Sequence, residues 1–195
     1  MALNMDLSQR LVIDTQTKEW MDSPAYGVWR KPLERESAET GHASSIVKYD
    51  AGTSFSPHPH PLGEEIFVLE GVFSDESGDY PAGSYIRNPP GSSHAPFSKQ
   101  GCTIFVKLNQ FDEKDTAAVH LNTNSSPWLQ GYGGLQVMPL HEFEHEHVAL
   151  VKWPKGVSAL SRTATLAEKK SLCFQAPLWM NMVSIPQARG CAART

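Results

Sequence analysis

Between residues 41 and 112 the chain alternates short apolar, β-branched runs with clusters of turn-forming residues. The runs are Ser45-Ile46-Val47-Lys48-Tyr49, Glu65-Ile66-Phe67-Val68-Leu69, Ser84-Tyr85-Ile86-Arg87 and Thr103-Ile104-Phe105-Val106-Lys107-Leu108. Each has the length and residue types of a strand, and none sustains a helical period. Prolines 57, 59, 61, 81, 89, 90 and 96 fall between the runs, where rigid turns belong, and not inside them. The pattern predicts an all-β, antiparallel barrel or sandwich. Ahead of it, residues 1–24 read as an arm with one edge strand, Arg10-Leu11-Val12-Ile13, and residues 113–130 read as a linker.

A weak internal repeat lies further on. Ser45-Ile46-Val47-Lys48-Tyr49-Asp50-Ala51-Gly52 recurs as Ala149-Leu150-Val151-Lys152-Trp153-Pro154-Lys155-Gly156, an offset of 104 residues, and the similarity stops at Gly156. Back-translation and rereading in a shifted frame restores it. The Trp179/Met180 junction then encodes Asp, Met180/Asn181 Glu and Met182/Val183 Gly, a string that falls 104 residues after Asp75-Glu76-Ser77-Gly78. In the same frame Arg162/Thr163 and Ala164/Thr165 permit His opposite His58 and His60, and Glu168/Lys169 permits Glu opposite Glu64. The expectation is that 113–156 holds the linker and the start of a second module, and that 157–195 is a frameshifted, irregular tail. The coding DNA across codon 156 decides the matter.

Composition narrows the function classes. A chain of 195 residues with 40% hydrophobic residues suits one globular domain or slightly more. A net charge of −4 and no basic run beyond Lys169-Lys170 give nucleic acid no electrostatic footing, and an anionic membrane surface none either. No apolar stretch approaches the roughly 18 residues of a transmembrane helix, and residues 1–20 lack the pattern of a signal peptide, so the expected setting is the cytoplasm. Cys102, Cys173 and Cys191 are odd in number and lack C-x-x-C spacing, which indicates neither a disulfide framework nor a thiolate zinc site. Cys102 reads as a buried small hydrophobe.

The candidate chemistry sits in Gly52-Thr53-Ser54-Phe55-Ser56-Pro57-His58-Pro59-His60-Pro61-Leu62-Gly63-Glu64. Residues i and i+2 of a strand share a face, so His58 and His60 can reach one ion, and the Pro61-Leu62-Gly63 turn can return Glu64 beside them. His94 is the fourth candidate. Two imidazoles and a carboxylate are usual donors to zinc, iron, manganese, nickel and copper alike. Glu65 lies on the opposite face and reads as structural. A second cluster, His141-Glu142-Phe143-Glu144-His145-Glu146-His147, has ligand-like spacing but reads as a solvated strand or linker. Alternation leaves Tyr49, Tyr85, Arg87 and Phe97 unplaced at the barrel mouth.

These residues resemble the cupin family. Its first motif, G(X)5HXH(X)3-4E(X)6G, is met by Gly52, His58, His60, Glu64 and Gly71, and its second, G(X)5PXG(X)2H(X)3N, by Gly83, Pro89, Gly91 and His94, with Ser98 at the final Asn. Within cupins, residues 63–78 and 85–94 are similar to the ChrR type, which includes the C-terminal domain of zinc-dependent anti-sigma factors and free-standing two-barrel relatives. Acetylacetone-cleaving dioxygenases are similar at this level. The resemblance implies a jelly-roll barrel over 25–112 holding one divalent ion, zinc first, with iron, manganese or nickel as alternatives, through His58, His60, Glu64 and His94. It implies a ligand- or stress-responsive binding module, or else a non-haem metal-dependent dioxygenase acting on a small diketone or aromatic ketone. The anti-sigma relatives grip sigma through an N-terminal zinc domain, for which residues 1–41 offer no His or Cys. Loss of a second barrel is expected to bare Phe67 and Leu69 on the outer face and to drive a homodimer.

Overall fold

The structure is a computed structural model that describes residues 2–6, 11–37 and 40–153, together with the strand backbones of 170–174 and 180–185. In chain order the strands are β1 (Met21–Asp22), β2 (Val28–Arg35), β3 (Ala43–Tyr49), β4 (Thr53–Ser54), β5 (His58–His60), β6 (Glu64–Asp75), β7 (Gly78–Pro81), β8 (Ser84–Asn88), β9 (Ser92–His94), β10 (Phe97–Ser98), β11 (Cys102–Leu108), β12 (Val119–Asn122), β13 (Leu129–Gln130), β14 (Gln136–Phe143), β15 (Glu146–Lys152), β16 (Lys170–Phe174) and β17 (Met180–Ile185). A single 3-10 turn at Tyr132–Gly134 is the one helical element among the described residues. No described helix is long and apolar enough to cross a membrane.

The chain divides into two compact units, Met1–Asn124 and Ser125–Thr195. The first is an antiparallel jelly roll, and the four runs singled out by their pattern form the body of it as β3, β6, β8 and β11. Its sheet runs β1-β2-β3-β11-β6-β10-β4, with β8 joining β6 to β12. Strand β6 is long enough to serve two neighbourhoods. Glu64–Phe67 pairs with β8 and Glu64–Gly71 with β11, whereas Val72–Asp75 pairs with β7 and reaches β10 at Ser74. A register shift near Thr103/Ile104 turns β6 between the two. Gly71 closes this bend at φ 73°, and a Cβ there would lie 2.2 Å from the Gly101 carbonyl oxygen, so the motif glycine is required by contact.

Alternation along β6 divides the chemistry of the barrel. Ile66 and Val68 point inward to a core shared with Val47, Tyr49, Phe73, Ile86, Cys102, Ile104 and Val106. Cys102 is free and buried, as its surroundings predicted. Glu65 points to the other face, where it is fully buried. There it accepts from Lys107 Nζ and from the Tyr85 hydroxyl at 2.8 Å, while Arg87 Nη1 lies 3.8 Å away. Arg87 in turn pairs with Asp115 at 2.7 Å and stacks on the Phe111 ring at 3.6 Å. Tyr85 and Arg87 therefore belong to a buried ionic face and not to the barrel mouth.

Several expectations are corrected here. Leu11–Ile13 form no strand, and Leu11 and Val12 are 54% and 79% exposed, while Arg10 lies outside the described residues. The stretch read as a linker contributes β12, which pairs with β8 because Val119 and Leu121 supply a short apolar alternation opposite Arg87 and Tyr85. Strand β2 went unrecognised because Arg30, Lys31 and Pro32 disguise it. Phe67 is only 4% exposed and Leu69 is half-buried, so the bare outer face that argued for a dimer is not there at Phe67.

In the second unit the sheet order is β13-β14-β15-β17-β16. Met138, Leu140, Val148 and Leu150 form its buried apolar positions. The two units share a hairpin register. In the first unit Pro32 pairs with Ser45 and the register shifts at Leu33, and in the second Pro139 pairs with Ala149 and shifts at Leu140. Ser45 and Ala149 are themselves equivalent in the 104-residue repeat. Of the expected irregular tail, the described residues comprise β16 and β17, which extend this open sheet, and the rest lies outside the described residues.

The ionic face makes a stability prediction. Burial alone would raise the Glu65 carboxyl, but Lys107 and Arg87 outweigh it and hold it below the ordinary carboxylate range. A depressed folded-state value adds stability above the unfolded pKa of about 4.3, and that stability is lost as pH falls through the folded value. Glu65→Gln leaves two buried cations short of a charge and is expected to cost roughly 3–5 kcal/mol at pH 7. In urea titrations the gap to the parent chain should narrow at pH 3. A gap that is small at pH 7, or that widens in acid, contradicts the assignment.

Candidate metal centre

Two short strands build the site. Strand β5 pairs antiparallel with β9, which sets His58 opposite His94 and His60 opposite Ser92. His58 and His60 flank Pro59 on one face of β5, as the period of two requires. The turn that follows is pinned by the His60 carbonyl oxygen, which accepts from Gly63 N–H at 3.2 Å and from Gly91 N–H at 2.9 Å. Gly63 takes φ 78° there, and a Cβ would fall 2.1 Å from the Phe111 ring. The chain thus re-enters as β6 with Glu64 on the inward face, next to Ile66 and Val68.

The result is a cluster of acceptors. His58, His60 and His94 each offer a ring nitrogen within 4.8 Å of the others. Glu64 Oε2 lies 3.4 Å from His60 Nε2 and 3.2 Å from His94 Nε2. Both of those nitrogens are buried, and neither forms a hydrogen bond among the described residues. His58 Nδ1 stands 3.0 Å from the Ser56 carbonyl, which can only accept, so Nδ1 carries the proton and Nε2 keeps its lone pair. His94 Nδ1 stands 3.2 Å from Asp75 Oδ2, with the same consequence when that carboxylate is ionised. Glu64 Oε2 receives one neutral donor, Asn88 Nδ2 at 3.0 Å.

Electrostatics agree with the geometry. Burial first, then the neighbouring imidazoles of His94 and His58, lower His60 to about 3. His94 is lowered as well, mainly by burial. The His60 and His94 imidazoles are therefore neutral near pH 7, and their approaches to Glu64 are not ion pairs. Burial lifts Glu64 to about 7, against the pull of the Asn88 hydrogen bond and with a further push from Asp75. Three ring nitrogens and a carboxyl group converge within bonding reach of one point, a donor set that a divalent ion fits.

Each candidate residue can now be placed. His58, His60, Glu64 and His94 come together around the β5/β9 pair, with His58 partly exposed and the other three buried. Glu65 faces away. The second histidine cluster forms the β14/β15 hairpin, where Glu144 takes φ 48° in the turn and His147 is half-exposed beside Glu142 at 3.7 Å. Tyr49 and Phe55 wall the site, with the Phe55 ring 5.8 Å from His58 and 5.5 Å from Tyr49. Phe97 lies on β10 with Lys99 over its ring at 5.7 Å. Sequence reading missed Asn88 and Asp75. Asn88 ends β8 directly opposite Glu64, so strand register was the signal that would have found it.

A family model described as the ChrR cupin-like domain matches residues 8–112. No curated protein matches the sequence significantly. Among solved structures, a candidate dioxygenase from Nostoc punctiforme is similar at 17% identity over 64% of this chain and 51% of its own, with a TM-score of 0.54. An acetylacetone dioxygenase from Acinetobacter johnsonii is similar at 19% identity, over 60% of this chain and 86% of its own, with a TM-score of 0.43. A chain from the Rhodobacter sphaeroides complex of SigE with the anti-sigma ChrR is similar at 20% identity, over 49% of this chain and 51% of its own, with a TM-score of 0.41. At 17% identity the Nostoc structure speaks to fold alone.

The two histidine clusters make opposite predictions. His60→Ala should abolish stoichiometric metal in a chelator-competition titration, and His145→Ala should leave it unchanged. Loss of metal in the His145 variant with retention in the His60 variant would place the site at the hairpin instead.

Proposed function

The chain belongs to the ChrR cupin-like family, and from that premise we propose that its barrel is a single-ion centre held by His58, His60, His94 and Glu64, serving as a ligand- or stress-responsive binding module. The observation that carries this reading is the pair of buried Nε2 atoms of His60 and His94, which face Glu64 and have no hydrogen-bond partner among the described residues. Leaving such atoms without a partner costs roughly 1–3 kcal/mol each, and an ion removes that penalty. Zinc is the proposed occupant because the ChrR-type cupins include zinc-dependent anti-sigma factors, while the donor set by itself suits several first-row metals.

A bound ion of this kind supplies Lewis acidity and coordination positions for a small molecule. The chain's own residues supply the rest. Ser56 and Asp75 fix ring orientation, Asn88 holds the carboxylate, and Tyr49, Phe55 and Phe73 present aromatic surface beside the rings. The partly exposed edge of His58 is the approach for a ligand. The proposed setting is the cytoplasm, consistent with three cysteines that show no pairing pattern.

Metal analysis of protein purified without an affinity tag, paired with oxygen-electrode measurements, tests the reading. One zinc per chain and no oxygen consumption with small diketones or aromatic ketones is the expected result. Iron with substrate-dependent oxygen uptake would replace the binding module with an oxygenase, and a chain that takes up no divalent ion would remove the centre altogether.

A further inference from the structure

Asp75 stands outside both motifs, yet it makes the closest polar contact to the back of His94. It is the last residue of β6, buried, where the hairpin into β7 begins. One oxygen, Oδ2, lies 3.2 Å from His94 Nδ1. The other, Oδ1, accepts the Ser77 N–H at 2.8 Å and the Tyr80 hydroxyl at 3.3 Å. The carboxylate is therefore held from behind on two sides and presents its free oxygen to the imidazole. The next residue strengthens the arrangement, since Glu76 Oε2 accepts the Ala95 N–H at 3.0 Å and so ties the hairpin to the chain just past His94.

The string continues outward. Tyr80 Oη lies 3.5 Å from Nδ1 of His120, and the two rings meet edge to face at 5.2 Å. His120 is exposed on β12, so a run of side chains, His94, Asp75, Tyr80 and His120, leads from the centre to the surface. Every link connects a different strand: β9, β6, β7 and β12.

We propose that Asp75 is the positioning residue of the metal centre, holding His94 in the tautomer that carries its proton on Nδ1 and turns a bare Nε2 toward the ion. This rests on the metal reading above. The physical basis is general: a ligating imidazole that donates its second N–H to a carboxylate is fixed in orientation and made more basic, and loss of such a partner weakens metal binding about 10–100-fold. Tyr80 and Ser77 position Asp75, and neither touches the ion's donors.

Zinc affinity by chelator competition and the His94 tautomer by nitrogen-15 NMR of the metal-free chain test the proposal together. Asp75→Ala should weaken zinc binding about 10–100-fold and release His94 to a mixture of tautomers. Asp75→Asn keeps the shape and an accepting oxygen but loses the charge, so it should retain the Nδ1–H tautomer with an intermediate affinity. That graded pair is a readout that simple loss of packing would not produce, and the Asn variant keeps the test intact if the Ala variant does not fold. If the parent chain binds zinc and both variants bind it within twofold, with His94 unchanged, Asp75 does not position the ligand. If the parent chain binds no zinc while its His94 already shows the Nδ1–H tautomer, the metal reading fails and the positioning proposal falls with it.

Discussion

The antiparallel pairing of β5 with β9 is the constraint on which the site depends. It places His58 directly across from His94 and leaves His60 on the same face two residue pairs along. Two strands of three residues have little stability of their own. They are held because the turns at either side, around Gly63 and Gly91, both donate to the His60 carbonyl, and because β6 continues from the first of those turns into the core. The ligand geometry is thereby tied to a strand whose first five residues are all buried.

That same strand separates two kinds of buried charge. Glu64 points inward, beside the buried Nε2 atoms of His60 and His94, with no Lys or Arg paired to it among the described residues. Glu65, the adjacent residue, points outward into a network that holds its own cations, Lys107 and Arg87. Two neighbouring carboxylates thus have opposite fates: burial raises the first to about 7, and the second is held low by its partners. A satisfied ion pair reads as structure and an unsatisfied cluster reads as a binding site.

The sequence made much of this legible. Turn residues at short intervals disclosed the strands, and the spacing of His58, His60, Glu64 and His94 disclosed the residues that now converge. What stayed hidden depends on pairing between distant strands. Asn88 and Asp75 act through side-chain partners fixed by the register of β8 with β6 and by the β6/β7 hairpin, and no local spacing announces either. Tyr85 and Arg87 stayed open as residues of the barrel mouth, because a period of two does not say which face is inward. Strand β12 was hidden in a polar stretch because one of its faces carries His120 and Asn122. The hairpin register shared by Pro32 and Pro139 was likewise invisible until the strands were paired.

The central claim is that three imidazoles and one carboxylate of a single barrel receive one ion. X-ray absorption at the zinc edge of the loaded chain reads the donor set directly. The account predicts nitrogen and oxygen neighbours at about 2.0–2.1 Å, with the multiple-scattering pattern of three imidazoles that drops to two in His94→Ala. A spectrum with sulfur neighbours near 2.3 Å, or one that keeps the same imidazole count when His94 is replaced, would contradict it.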